Sequence, residues 1–162
     1  MTIKVGDHLP DASFTVMSAA GPAEKSASEL FSGRKVALFA VPGAYTPTCH
    51  QQHLPGFVEH AAELGGKGVD EICCTAVNDI FVLTHWAEAT GAAATVTMLA
   101  DGSAKFAKAL GLAIDLNDHG MGMRSKRYAM IVDDGVVKVL NVEAAPSDHD
   151  KSSAATLLKG DV

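Results

Sequence analysis

The chain carries 162 residues, 48% of them hydrophobic, and its 13 Lys and Arg against 19 Asp and Glu give a formal net charge of −6. That length fits one domain, 1–162, with a sizeable core, and the apolar content excludes a disordered chain. The acidic balance excludes a phosphate-backbone partner such as nucleic acid, and no apolar run reaches the length of a membrane span.

Residues 1–7 lack the charged and apolar regions of a signal peptide, so a cytoplasmic location is expected. Residues 1–30 contain Pro10, Gly21 and Pro22 and read as extended chain with turns. Ser26-Ala27-Ser28-Glu29, just before Leu30 and Phe31, has the form of a capping box for a short helix that Gly33 stops. The run 35–41 is apolar and too short for a typical helix, which makes it a buried strand ended by Pro42 and Gly43. A helix then runs from 47 to about 64 and closes at Gly65 and Gly66. Thr46 is its expected N-cap and Pro47 its first residue. Pro55 should remove one hydrogen bond and kink it.

Residues 70–77 form a second buried strand. Asn78 or Asp79 caps a helix to residue 90, stopped by Gly91. A short strand at 95–99 and a helix at 103–110, ended by Gly111, follow. Residues 115–123 read as a polar, glycine-rich loop. The segments 128–132 and 136–142 flank Asp133-Asp134-Gly135, a strong hairpin signal, and 152–159 is a closing helix. Helices between strands imply parallel pairing with helices on both faces, and the hairpin adds an antiparallel edge. The expected class is α/β: a thioredoxin-like fold with a central mixed β-sheet flanked by helices.

Cys49 falls in the first turn of the helix after the 35–41 strand. There it lies among unsatisfied backbone N–H groups at the positive end of the helix dipole, which lowers a thiol pKa and favours the nucleophilic thiolate. The Thr46 hydroxyl is placed to accept from a first-turn N–H and to point its own proton at the sulfur. An inert cysteine on an amphipathic helix would not account for Gly43, Thr46 and Pro47 at positions that an exposed helix start requires.

The spacing Pro42-x-x-x-Thr46-x-x-Cys49 resembles the active-site signature of the peroxiredoxins. The full string Pro42-Gly43-Ala44-Tyr45-Thr46-Pro47-Thr48-Cys49 resembles the type II, peroxiredoxin-5-like branch, with Tyr45 in place of its usual Phe. The likeness spans nearly the whole chain. Lys4-Val5-Gly6-Asp7 with Pro10, His53-Leu54-Pro55-Gly56-Phe57, Val77-Asn78-Asp79, Trp86, Leu99-Ala100-Asp101, Arg127-Tyr128, Asp134-Gly135-Val136-Val137 and Asn141-Val142-Glu143 also resemble type II members, in order.

This resemblance implies a thiol peroxidase acting on hydrogen peroxide and alkyl hydroperoxides through a sulfenic acid. It assigns Cys49 as the peroxidatic nucleophile, Thr46 as a donor to peroxide and sulfur, Pro42 as a shield against water, and Arg127 as the cation that polarises peroxide. Arg124 is the nearby competitor for that last role. It also implies a homodimer formed through loops near Tyr45, Trp86 and Gly120.

Residue 52 is Gln, so there is no Cys-x-x-Cys pair, which argues against a plain disulfide exchanger. The chain has three cysteines, and the tail 143–162 holds none, unlike many relatives of this branch. Cys73 and Cys74 lie in one strand and point to opposite faces. Cys74 matches the position where some type II members place a resolving cysteine. The expected cycle is one-Cys, with glutathione and glutaredoxin as reductant. A thioredoxin-dependent two-Cys cycle through Cys74 is the rival, and a peroxide sensor is a further alternative. Cys49, His50 and His53 do not make a metal site, because His50 points elsewhere and no second ligand pair follows. No cofactor is expected, and Met98, Met121 and Met123 read as packing residues.

Overall fold

The computed structural model describes residues 2–160 and 162. Seven strands form one mixed sheet: β1 (Ser13–Ser18), β2 (Gly21–Ser26), β3 (Lys35–Ala40), β4 (Glu71–Ala76), β5 (Val96–Ala100), β8 (Tyr128–Asp133) and β9 (Val136–Val142), in the order β2-β1-β5-β4-β3-β8-β9. β3, β4 and β5 pair in parallel, and the other pairs are antiparallel. Two short strands, β6 (Ala113–Leu116) and β7 (Gly122–Ser125), form a separate hairpin.

Successive residues of the central strands point to opposite faces and build two cores. One face holds Phe39, Cys49, Phe57, Cys74, Trp86 and Ile131. It is covered by α2 (Leu54–Glu59), α3 (Ala61–Gly66), α4 (Ile80–Ala89) and α6 (Ala154–Leu158). The other holds Phe14, Leu38, Cys73, Phe106 and Tyr128, under α1 (Ala27–Phe31) and α5 (Lys105–Leu110). The mixed sheet flanked by helices is the architecture the sequence predicts. Among the described residues, no helix is long and apolar enough to cross a membrane.

The local signals are met where backbone chemistry dictates them. Ser26 and Glu29 complete a reciprocal capping box. Asp79, not Asn78, caps α4 by accepting from the Val82 N–H. Asp134 and Gly135 both take left-handed backbone at the β8–β9 turn, as a tight hairpin of right-twisted strands requires.

Two segments differ from expectation. The first thirty residues hold the β1–β2 hairpin, in which Pro22 is tolerated because β2 is an edge strand. The expected loop at 115–123 contains parts of β6 and β7 joined by a short 3₁₀ turn, Asn117–His119. Left-handed Gly120 and Gly122 let that polar chain reverse.

The helix after β3 begins at Pro47, but it is not one regular α-helix. Cys49–His53 is wound as a π-helix, with the Leu54 N–H reaching back to the Cys49 carbonyl. Pro55 has no N–H and its ring crowds the preceding turn, so a widened turn just upstream accommodates it. A second irregularity at His60 separates α2 from α3. Below this helix, Phe39 stacks on Phe57 with centroids 4.1 Å apart and rings 5° from parallel, and packs 4.9 Å from the His53 ring.

Phe39→Ala should therefore destabilise the fold by about 3–5 kcal/mol. The measurement is the urea midpoint at unchanged m-value. A loss below about 1 kcal/mol would mean that this stack does not hold the helix to the sheet.

Candidate active site

The site is built on the loop that leaves β3. The Val41 N–H donates to the Thr75 carbonyl and extends the strand. Pro42 and Gly43 are buried. Gly43 is required by close approach: a Cβ there would lie 2.9 Å from Arg124 Nη1 and 3.3 Å from Thr46 Cγ2. The Ala44 N–H donates to Asn78 Oδ1 at 3.0 Å, which ties the loop to the β4–α4 turn. Tyr45 then takes left-handed backbone, φ 66°, a strained state for a residue with a Cβ. The His50 N–H donates to the Thr46 carbonyl at 2.9 Å and closes the first helical turn.

Thr46 does not cap that turn with its side chain, contrary to the sequence expectation. Its Oγ1 lies 2.7 Å from the Gly43 carbonyl oxygen and 2.8 Å from Cys49 Sγ. A hydroxyl has one proton. While the sulfur is a thiol, S–H donates to Thr46 and Thr46 donates to Gly43. Once the sulfur is a thiolate, both neighbours of Oγ1 are acceptors, and the single proton serves one of them.

The second donor is Arg127, at the start of β8. Its Nη2 donates to Cys49 Sγ at 2.9 Å, its Nη1 to His53 Nδ1 at 2.9 Å, and its Nε to the Pro146 carbonyl at 3.1 Å. The guanidinium is buried, and among the described residues no carboxylate lies within 4.0 Å of it. A buried cation needs a compensating charge. The group placed to supply it is the Cys49 sulfur as thiolate, the form that attacks electrophiles. Arg124, the competing arginine, does not reach the sulfur; its Nε donates to Met121 O and its Nη1 to Pro42 O.

His53 is the contributor that the sequence reading left without a role, although its position four residues after Cys49 puts it on the same helix face. Its Nε2 pairs with the Ser152 carbonyl at 2.9 Å. With Nδ1 accepting from Arg127, Nε2 must carry the proton. The segment after β9 completes the cage. The Glu143 carboxylate accepts from the Ser152 N–H and hydroxyl, and His149 packs edge-on to His53 at 5.2 Å.

The remaining predicted residues lie apart from this triad. The His50 Nδ1 accepts from Trp86 Nε1 at 3.1 Å, and its ring lies against Tyr45 at 5.7 Å. The two nearby histidines thus engage protein donors and acceptors. All three cysteines are free. Cys74 shares a core face with Cys49, whereas Cys73 faces the opposite core. Burial first, and the neighbouring Cys49 next, push the Cys74 thiol well above its ordinary range. Pro47 at the helix start is exposed, as the sequence reading assumed, but the Cys49 side chain is not: it is 0% exposed.

Burial first, and then the Arg127 charge, hold the His53 imidazole well below its ordinary pKa. The unfolded chain therefore takes up a proton near pH 6.5 that the folded chain refuses. Folding stability should fall as the pH drops below about 6.5, by up to about 1.4 kcal/mol per pH unit from this residue. His149 is shifted the same way, by burial and then Arg127, and adds to the trend. Urea unfolding at pH 7.5 to 5.5 should show a shallower slope for His53→Gln than for the wild type; parallel slopes would contradict the assignment.

A family model described as Redoxin matches residues 4–158. The chloroplastic peroxiredoxin-2E-2 of Oryza sativa subsp. japonica is 52% identical over 163 residues, covering 98% of this chain and 72% of that one. The chloroplastic peroxiredoxin-2E of Arabidopsis thaliana is 47% identical over 162 residues, covering 98% and 69%. The crystal structure of reduced Prx3 from Vibrio vulnificus in complex with hydrogen peroxide superposes with a TM-score of 0.93, at 49% identity over 98% of each chain. With this thioredoxin-like fold and these relatives, the chain belongs to the redoxin family and is a peroxiredoxin, a thiol peroxidase that reduces peroxides.

Proposed function

We propose that the protein is a type II, peroxiredoxin-5-like enzyme that reduces hydrogen peroxide and alkyl hydroperoxides at Cys49, in a one-Cys cycle with glutathione and glutaredoxin. The observation that carries the site assignment is the convergence of Arg127 Nη2 and Thr46 Oγ1 on one buried sulfur. The Cys49 thiolate attacks the nearer peroxide oxygen. The O–O bond breaks and the farther oxygen leaves with the electron pair as hydroxide or alkoxide, which a proton converts to water or alcohol. The sulfur becomes a sulfenic acid.

Arg127 keeps its remaining Nη2 donor near the breaking bond, where negative charge moves outward. Thr46 accepts from the hydrogen of the attacked oxygen while donating to the Gly43 carbonyl, or donates to the sulfur, as its two short contacts permit. Pro42, buried beside Gly43, excludes water from the turn. Because Cys49 is 0% exposed, peroxide enters as the Thr46–Cys49 turn opens, and the wide π-helical winding that follows is the weaker part of that helix.

The one-Cys reading rests on chemistry as well as position. Resolution needs a thiolate. The Cys74 thiol is buried and shifted away from that form, and residues 143–162 offer no cysteine. A small external thiol meets neither obstacle. Three free thiols suit a reducing compartment, for which we propose the cytoplasm. We assign a homodimer to the loops near Tyr45, Trp86 and Gly120. Trp86 itself is buried; the exposed large apolar side chains are Tyr45, at 50%, and Phe81, on the same helix as Trp86, at 59%.

Cys49→Ser should abolish peroxide consumption in a folded protein, since a serine hydroxyl does not ionise at neutral pH. Thr46→Val should slow the oxidation step on the order of a hundredfold, as should Arg127→Gln, by analogy with loss of an oxyanion donor. Stopped-flow oxidation with hydrogen peroxide measures this. Near-normal rates in Arg127→Gln, with a larger fall in Arg124→Gln, would reassign the arginine.

The double variant Cys73→Ser with Cys74→Ser should still turn over with glutathione and glutaredoxin. Wild type treated with peroxide alone should carry Cys49 as sulfenic or higher acid, read by alkylation and mass spectrometry. A stoichiometric Cys49–Cys74 disulfide would establish the two-Cys cycle instead. A single oxidation followed by no turnover with any thiol would favour a sensor.

A further inference from the structure

We infer that Arg124 is a docking site for a carboxylate of the small thiol that reduces oxidised Cys49, a role that rests on the one-Cys reading. Arg124 lies on β7 and is half-buried. Two of its N–H groups are anchored to backbone: Nε donates to Met121 O at 2.8 Å and Nη1 to Pro42 O at 3.4 Å. The guanidinium lies against Gly43, and a Cβ placed there would also come within 3.3 Å of Thr46 Cγ2 and 3.6 Å of Met121 Cε. The cation, the Thr46 side chain and Met121 thus converge over the loop that covers the sulfur.

The charge has no partner among the described residues. No carboxylate lies within 4.0 Å of it, and Nη2 donates to nothing. Asp115 of its own hairpin is engaged elsewhere: its Oδ1 accepts from the Asn117 N–H and side-chain amide. Arg34, by contrast, has its carboxylate, Glu71. An anchored guanidinium with unused parallel donors is the geometry that recognises a carboxylate. The Cys49 sulfur is engaged by Arg127 and not by Arg124, which leaves the Arg124 guanidinium without an internal partner among the described residues.

Glutathione carries two carboxylates, whereas hydrogen peroxide and simple alkyl hydroperoxides carry none. The step that benefits is therefore reduction. The glutathione thiolate attacks the Cys49 sulfenic sulfur, the S–O bond breaks, and the oxygen leaves as hydroxide, which is protonated to water. A second thiol then displaces the Cys49 thiolate and forms glutathione disulfide or, with glutaredoxin, a mixed disulfide. Docking one carboxylate on Arg124 holds the first thiol at the loop while the turn is open.

The test oxidises the protein with one equivalent of peroxide and follows appearance of the Cys49 mixed disulfide by acid quench and mass spectrometry. Glutathione, glutathione diethyl ester and 2-mercaptoethanol are compared, with rates normalised to thiolate. In the wild type, glutathione should react about tenfold faster than its diethyl ester, and added salt should erase the difference. In Arg124→Gln, glutathione and the ester should react alike, and the glutathione to 2-mercaptoethanol ratio should fall about tenfold. Arg124→Lys should recover part of it.

An equal fall for all three thiols would make Arg124 merely structural and overturn the proposal. So would a wild type that does not distinguish glutathione from its ester. If Arg124→Gln instead selectively slows oxidation by a carboxylated fatty-acid hydroperoxide relative to tert-butyl hydroperoxide, the carboxylate belongs to the peroxide and the proposal also fails. If no small thiol reduces the wild type and Cys49 pairs with Cys74, the one-Cys reading fails and takes this one with it.

Discussion

A buried guanidinium without a carboxylate organises this molecule. Arg127 is 2% exposed, and each of its three nitrogens is directed at a different part of the chain: Cys49, His53 and Pro146. Removing a cation from water costs several kcal/mol unless charge and hydrogen bonds replace the solvent. Here the replacement is a cysteine sulfur, an imidazole nitrogen and a peptide carbonyl. Among the described residues no carboxylate compensates this arginine, and the Cys49 sulfur is the one cysteine its guanidinium meets. The surroundings of the Cys49 sulfur and the start of β8 are one arrangement seen from its two ends.

The supports of this arrangement explain residues with no contact to the sulfur. His53 must stay neutral, because a protonated imidazole has no lone pair for Arg127. Its burial and the adjacent positive charge both favour that state. Its Nε2 proton goes to the Ser152 carbonyl, and Glu143 fixes Ser152 through its N–H and hydroxyl. Glu143 lies directly after β9, so the strand register sets the carboxylate, which sets the following segment, which orients the imidazole. The opposite wall is set just as indirectly: Asn78, beyond β4, holds the Ala44 N–H and with it the loop carrying Thr46.

Much of this was legible in the sequence because its causes are local. Apolar runs gave β3 and β4, Asp134 and Gly135 gave the β8–β9 turn, and Pro47 and Thr46 marked the helix start. What escaped detection depends on distant partners. The β1–β2 hairpin hides behind Pro22, which only an edge strand accepts, and edge position is a property of the whole sheet. β6 and β7, four residues each, are too short to show alternation. The Thr46 side chain reads as a cap, yet the sulfur and the Gly43 carbonyl compete successfully for it. Arg127 and Arg124 look equivalent in a basic run; their separation follows from strand direction, since Arg127 leads into buried β8 while Arg124 lies on the small β6–β7 hairpin.

That separation divides two electrostatic tasks that one arginine would perform poorly. A cation that stabilises the sulfur must be desolvated and fixed, which removes it from anything larger than a peroxide. A cation that attracts a charged co-substrate must keep solvent access, which weakens its hold on the sulfur through screening. The loop carrying Gly43 is the partition between the two, with Arg127 meeting the sulfur on the inner side and Arg124 packed on the outer side. Gly43 permits this because no side chain stands between the loop and the outer guanidinium. An alanine at Gly43 would press on Arg124 Nη1, 2.9 Å from its Cβ, so the glycine of this string makes room for the second cation as directly as Thr46 meets the sulfur that the first one holds.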